Sequence, residues 1–268
     1  MTVQLDRTTR GWLPELRIAR SPWHVRGTRD GAVVVDAPDA LLVWEPRRAT
    51  PVYAVPERAL RGRLEPGGPT RPPTPAEERL PVLHPGVPFA VHTAEGTALR
   101  LVPSDRPAVD VFRVDDPLLR DAVLVDFAAL TWFEEDAEQP AHPRDPYHRI
   151  DVRPTGARVR MRLGDAVVVD TVRARLLAET QLPLRWYVPP EDVLVPLEPS
   201  ATVSWCAYKG RATYRSAIVG DRRVDDLFWT YEDPLPDGRD VLGLLGVYAE
   251  RLEVEVQPAP GPAASVEA

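Results

Sequence analysis

Polar and apolar residues alternate one by one over Arg158–Leu163, which reads Arg-Val-Arg-Met-Arg-Leu. A period of two describes a strand with one wet face and one buried face. Gly164 and Asp165 supply a turn and Ala166–Val169 a second strand, so this stretch predicts a β-hairpin. Thr213–Val219 followed by Gly220-Asp221 predicts a further strand and turn, and Arg251–Val256 a closing strand. Asp170–Leu177 predicts the start of a short helix, with Asp170 or Thr171 as its cap. Val241–Glu250 fits a helix or a strand equally well. Prolines every few residues exclude long helices.

The pattern occurs twice. Ala-Val-Val-Val-Asp stands at 32–36 and again at 166–170. Ala40, Leu42 and Glu45 recur as Ala174, Leu176 and Glu179; Tyr53, Pro56, Glu57 and Leu60 recur as Tyr187, Pro190, Glu191 and Leu194. One offset running through several identities signals duplication. Asp-Pro-Leu at 116–118 returns at 233–235 with a smaller offset, so the halves also differ by insertions and deletions. The expected organisation is a first repeat at 15–138, a proline-rich connector at 139–149, a second repeat at 150–256 and a disordered Pro/Ala-rich tail at 257–268. A Pro/Gly-rich insertion at 66–88 reads as a mobile loop. The expected fold is mainly β: two small β domains with short helices, packed as a pseudo-dimer.

Net charge is −7 over 268 residues, with no basic run, which argues against nucleic acid or an anionic membrane as partner. The first residues lack the apolar core of a signal peptide, and no run approaches the length of a membrane span, so a cytoplasmic protein is expected. A single cysteine rules out an internal disulfide and a cysteine-cluster metal site. The five histidines, 24, 84, 92, 142 and 148, have no ligand spacing. Neither a metal nor a cofactor is expected.

Lys209 is the only lysine and lies three residues from Cys206, the only cysteine. The chain has no asparagine, and every other permanently basic side chain is arginine, as a GC-rich genome would produce. A lysine that persists there points to a need for an amine, which a guanidinium does not replace. Residues three apart on a regular strand face opposite ways, so Cys206 and Lys209 meet only if Gly210 marks a turn or bulge. In that case the ammonium would make the thiol more acidic and more reactive. The plainer readings are a buried, inert Cys206 and a salt bridge from Lys209 to Glu179.

The segment carries further marks: Arg185-Trp-Tyr-Val-Pro-Pro-Glu-Asp-Val193, Cys206-Ala-Tyr-Lys-Gly-Arg-Ala-Thr-Tyr214 and Trp229-Thr-Tyr-Glu-Asp-Pro234. Together these resemble the bacterial "domain of unknown function 427" family, also filed as nucleotidyltransferase-like. The resemblance covers most of 150–256. With the His-Pro-Arg-Asp-Pro-Tyr connector at 142–147, it looks like the tandem form common in actinobacteria. It implies a mainly β fold of the Mss4-like type and no particular activity. The first half departs from the pattern: His92-Thr-Ala-Glu-Gly96 aligns with Cys206-Ala-Tyr-Lys-Gly210, Arg100 with Tyr214 and Phe112 with Trp229. One working site, in the second half, is therefore expected.

Nucleotidyl transfer needs metal-holding carboxylates and a phosphate loop. Neither motif is present, and a serine-hydrolase elbow is also missing. Glu179 and Asp170, kept in both halves, read as structural, a cap or a buried ion-pair partner, with Glu179 alternatively a site carboxylate. Tyr187, Tyr208, Tyr214, Trp229 and Tyr231 read as core or as the lining of a pocket between β layers. Arg144 either clamps the two halves or reaches the second-half pocket to bind an anion. Two functions stay open: a pocket centred on Lys209 that binds a small anionic or carbonyl-bearing metabolite, or an enzyme at the same place using Lys209 with Cys206 or Glu179.

Overall fold

In the computed structural model, which describes residues 13–79, 82–83, 86–180 and 182–259, the alternating stretches become strands. The chain divides into two compact units, residues up to Tyr147 and from His148 onward. In the first unit the strands are β1 (Arg17–Arg20), β2 (Val25–Arg29), β3 (Ala32–Ala37), β4 (Leu41–Trp44), β5 (Val52–Pro56), β6 (Arg63–Pro66), β7 (Gly96–Val102), β8 (Val109–Val114), β9 (Ala122–Val125), β10 (Thr131–Glu134) and β11 (Ala137–Gln139). In the second they are β12 (Ile150–Pro154), β13 (Arg158–Leu163), β14 (Ala166–Thr171), β15 (Arg175–Glu179), β16 (Arg185–Val188), β17 (Leu197–Cys206), β18 (Gly210–Val219), β19 (Arg222–Tyr231), β20 (Leu245–Val247) and β21 (Glu253–Gln257). Strands outnumber helices throughout, and the fold is mainly β.

The first unit has a seven-stranded sheet ordered β1-β4-β5-β9-β8-β7-β6 and a second sheet ordered β11-β10-β2-β3. The second unit has a seven-stranded sheet ordered β12-β15-β16-β20-β19-β18-β17 and a sheet ordered β14-β13-β21. Strand for strand, the two large sheets follow the same order. All the named pairings are antiparallel, and short turns close β2–β3, β10–β11, β13–β14, β17–β18 and β18–β19. In each unit the core between the sheets is aliphatic and aromatic. It holds Val25, Val35, Leu42, Tyr53 and Trp132 in the first unit, and Val159, Met161, Val169, Val188 and Phe228 in the second.

The predicted hairpin forms as β13–β14, turning at Gly164 with φ 59°. Two expectations change. Asp170–Leu177 is not helical: β14 runs through Thr171, and β15 starts at Arg175. The Thr171 hydroxyl does accept from Arg173 N, as a cap would, but it also donates to Asp192, and the chain bends into a new strand. Val241–Glu250 is neither simple alternative; it comprises the end of a 3-10 turn (Pro236–Val241), β20 and the start of another 3-10 turn (Ala249–Arg251). The insertion at 66–88 contains local structure in its described part. The short helix α1 (Pro75–Glu78) carries a Thr74/Glu77 capping box, and Arg71 pairs with Glu77 at 2.7 Å. The end of the tail read as disordered, 260–268, lies outside the described residues.

The Tyr53–Tyr187 correspondence also fails. Leu42 pairs with Tyr53, but its counterpart Leu176 pairs with Trp186. This one-residue slip puts Tyr53 in the core between the sheets and Tyr187 on the opposite face of its sheet.

Across that opposite face runs one row: Tyr187 pairs with Gly246, Gly246 with Trp229, and Trp229 with Tyr214. A Cβ on Gly246 would overlap the indole of Trp229. The glycine lets the tryptophan lie flat over the strand, next to Tyr187. On β17, the ladder to β18 slips between Pro199 and Val203. We predict that Gly246→Ala lowers the unfolding free energy by about 1–3 kcal/mol. Gly164→Ala, whose Cβ meets open space, should cost only about 1 kcal/mol through its positive φ. Urea unfolding followed by tryptophan fluorescence separates the two; equal losses would contradict the overlap.

Candidate functional site

Glu179 is the last residue of β15 and stands opposite Ile150 of β12. Two residues before Ile150, on the same face of the extended chain, is His148; its Nε2 lies 3.0 Å from Glu179 Oε1. The other carboxylate oxygen accepts from Lys209 Nζ. Lys209 reaches it from the tight turn between β17 and β18, where Cys206 pairs with Gly210 and the glycine takes φ 92°. Tyr208, from the same turn, stacks on His148 with ring centroids 4.0 Å apart. Gly238 lets the Pro236–Val241 turn pack against the lysine stem: its missing Cβ would lie 3.2 Å from Lys209 Cβ. The Lys209 and Glu179 side chains are each only 6% exposed.

Burial alone would raise the pKa of Glu179. The His148 hydrogen bond and the Lys209 charge outweigh it and hold the carboxyl below the usual glutamate value. Asp170 is the more exposed of the two retained carboxylates. Hydrogen bonds from Arg158, and then Arg160, bring it to about 2. Its counterpart Asp36 bonds His24.

Beside the cluster lies the aromatic row. Trp229 Nε1 donates to Tyr187 Oη at 3.1 Å, and Tyr214 Oη meets Ser204 Oγ at 2.9 Å. Tyr248 packs 4.6 Å from Trp229, and the Arg185 guanidinium lies over both rings, at 5.9 Å and 5.5 Å. Tyr187 and Tyr231 are buried, and burial pushes both phenols up; Tyr248 is pushed to about 12, also chiefly by burial. Tyr187, Tyr214, Trp229 and Tyr231 pack with Leu177 and Val241 on the face of the large sheet turned away from the core between the sheets, and Tyr248 touches both clusters.

Residues 151–258 match the family described as domain of unknown function DUF427. No curated protein matches the chain significantly. Apart from His148, every residue of the cluster and of the aromatic row lies inside the DUF427 match.

The structure thus brings together Glu179, Lys209 and Tyr208, and next to them Tyr187, Tyr214, Trp229 and Tyr231. Cys206 is half-buried near Tyr187 and Tyr231, whose acidity responds to both the thiol and Glu179. Arg144 belongs to the first unit, where its backbone amide and its charge act on Glu134. The sequence reading missed His148, Arg185, Ser204 and Tyr248 as members of the site. Arg185 had a usable signal: it stands two residues before Tyr187 on one strand, and so on the same face.

In the first unit the equivalent carboxylate persists with different partners. Glu45 accepts from Thr93 N at 2.9 Å and Ala94 N at 3.2 Å, and lies 3.1 Å from His92 Nδ1. The row level with Tyr187–Gly246–Trp229–Tyr214 is Ala54–Leu124–Phe112–Ala98. Counting back from Ala98 brings Thr93 level with Lys209, where the sequence alignment had put Glu95.

Removing one member of a buried pair strands the other charge. We predict that Lys209→Met destabilises the protein by about 3–5 kcal/mol, and that adding Glu179→Gln recovers most of that loss. Because Glu179 titrates lower in the folded state than unfolded, the pair's contribution is complete above the ordinary glutamate range. It is lost as pH falls through the folded value. Urea unfolding from about pH 7 to about pH 3 should show the gap between wild type and Glu179→Gln closing towards acid; a constant gap would refute the assignment.

Proposed function

We propose that the second unit binds a small metabolite bearing a carboxylate or carbonyl group, held against the aromatic face beside Lys209. The observation that carries this reading is the state of the ammonium. A lysine has three N–H donors, and Lys209 gives one to Glu179 and none to any other acceptor among the described residues. A ligand oxygen is the natural acceptor for another. The nearby hydroxyls of Tyr214 and Ser204 and the guanidinium of Arg185, itself paired with Glu250 at 2.6 Å, supply further polar contacts around an aromatic surface. Buried or half-buried phenols with raised pKa values remain neutral donors at physiological pH.

This reading is preferred to catalysis by Lys209 with Cys206 or Glu179. Among the described residues no hydrogen bond joins Cys206 to either, and Glu179 is committed to two cationic or hydrogen-bonding partners. We also infer that the first unit is a diverged copy of the same domain. The shared strand order and the retained Glu45 support this, as does the loss of the aromatic row.

The test is saturation-transfer NMR of the full chain with acetate, pyruvate and benzoate, against ethanol and benzyl alcohol as neutral controls. At least one acid or carbonyl compound should bind saturably. Its affinity should fall about tenfold or more in the charge-balanced Lys209→Met/Glu179→Gln variant. Undiminished binding in that variant, or no preference over the alcohols, would overturn the proposal.

A further inference from the structure

The first unit contains a cavity of about 270 Å³. It lies among the residues following β4, the segment 86–89, the 3-10 turn Phe127–Ala129 and residues 141–143. Phe89, Phe127 and Val52 give it apolar walls, and Glu45, Arg48 and Asp126 bring charge to it. The sequence reading assigned no site here, and the DUF427 match does not reach it.

The three charges are not in the same state. Glu45 is satisfied by His92, Thr93 and Ala94. Arg48 is buried and gives its terminal nitrogens to the carbonyls of Val87, Pro88 and Val91, which leaves only Nε without a partner. Asp126 differs. One of its oxygens accepts from Ala128 N at 3.0 Å, and no salt bridge among the described residues involves it. Burial, and then the charge of Asp110, raise its pKa, while the charge of His92 acts the other way. Asp126 is half-buried, and a carboxylate partly withdrawn from water without a counter-ion favours a cation beside it. Aromatic walls favour a cation as well. An anion drawn to Arg48 would face the carboxylates of Glu45 and Asp126.

We propose that this cavity binds a small organic cation, an amine with an apolar body, with Asp126 as its counter-ion. The ammonium sits at the free oxygen of Asp126 and the apolar body against Phe89 and Phe127. Arg48 holds the segment 87–91 in place rather than contacting the charge.

Isothermal titration of the full chain tests this with three probes of one shape: benzylamine (protonated at neutral pH), benzyl alcohol and benzoate. Benzylamine should bind saturably, about tenfold or more tighter than the alcohol, with benzoate weakest. Asp126→Asn keeps an oxygen for the Ala128 amide and should remove that preference. Ala128→Trp, at an exposed position on the rim, should block all three probes. Equal affinity for amine and alcohol, tightest binding of benzoate, or benzylamine binding undiminished in Asp126→Asn would each overturn the proposal.

Discussion

A carboxylate withdrawn from water at the end of a strand must be answered by donors, and each unit of this chain is organised around one. Glu45 follows β4 and Glu179 ends β15, at equivalent places in two sheets of the same strand order. The answering groups come from the segment just before β7 or β18, and in the second unit also from His148. One side chain thereby ties a strand near one edge of the sheet to the turn that launches the ladder at the other. Loss of either side leaves a buried charge unpaired, which penalises any arrangement that separates the two.

The chemistry of the answer differs between the units. The first uses backbone amides and an imidazole; the second uses an ammonium and an imidazole. Backbone amides are fixed and spent once bonded, whereas an ammonium keeps donors in reserve. Lys209 therefore keeps N–H donors that the proposed ligand would use, whereas in the first unit Asp126 has no salt-bridge partner among the described residues.

Much of the fold was legible in the residues. Strict alternation at Arg158–Leu163 and the Gly164 turn defined a hairpin, because period two and a glycine with positive φ are local properties. The recurrence of Glu45 as Glu179 marked a structural carboxylate, and the Lys209–Glu179 pair was one of the readings the residues allowed. The Tyr53–Tyr187 match misled because a one-residue slip changes the face of a side chain without changing the spacing of identities. His148 was invisible as a partner of Glu179: the two are 31 residues apart and meet only through the pairing of β12 with β15. Thr171 looked like a helix cap because the same hydroxyl–amide bond opens helices and bends between strands.

The slip between Pro199 and Val203 has a consequence beyond its own unit. β17 is ten residues long and forms the end of its sheet, which makes it a natural template for recruiting a strand from another molecule. Pro199 brings no amide hydrogen to such a pairing, and the slip breaks the repeat of donors and acceptors that an incoming strand would need. Thr202 is pulled inward by its 2.7 Å bond to Asp226, across β18 on β19. An intruding strand would find only short runs in register, so the irregularity guards the protein against edge-to-edge aggregation.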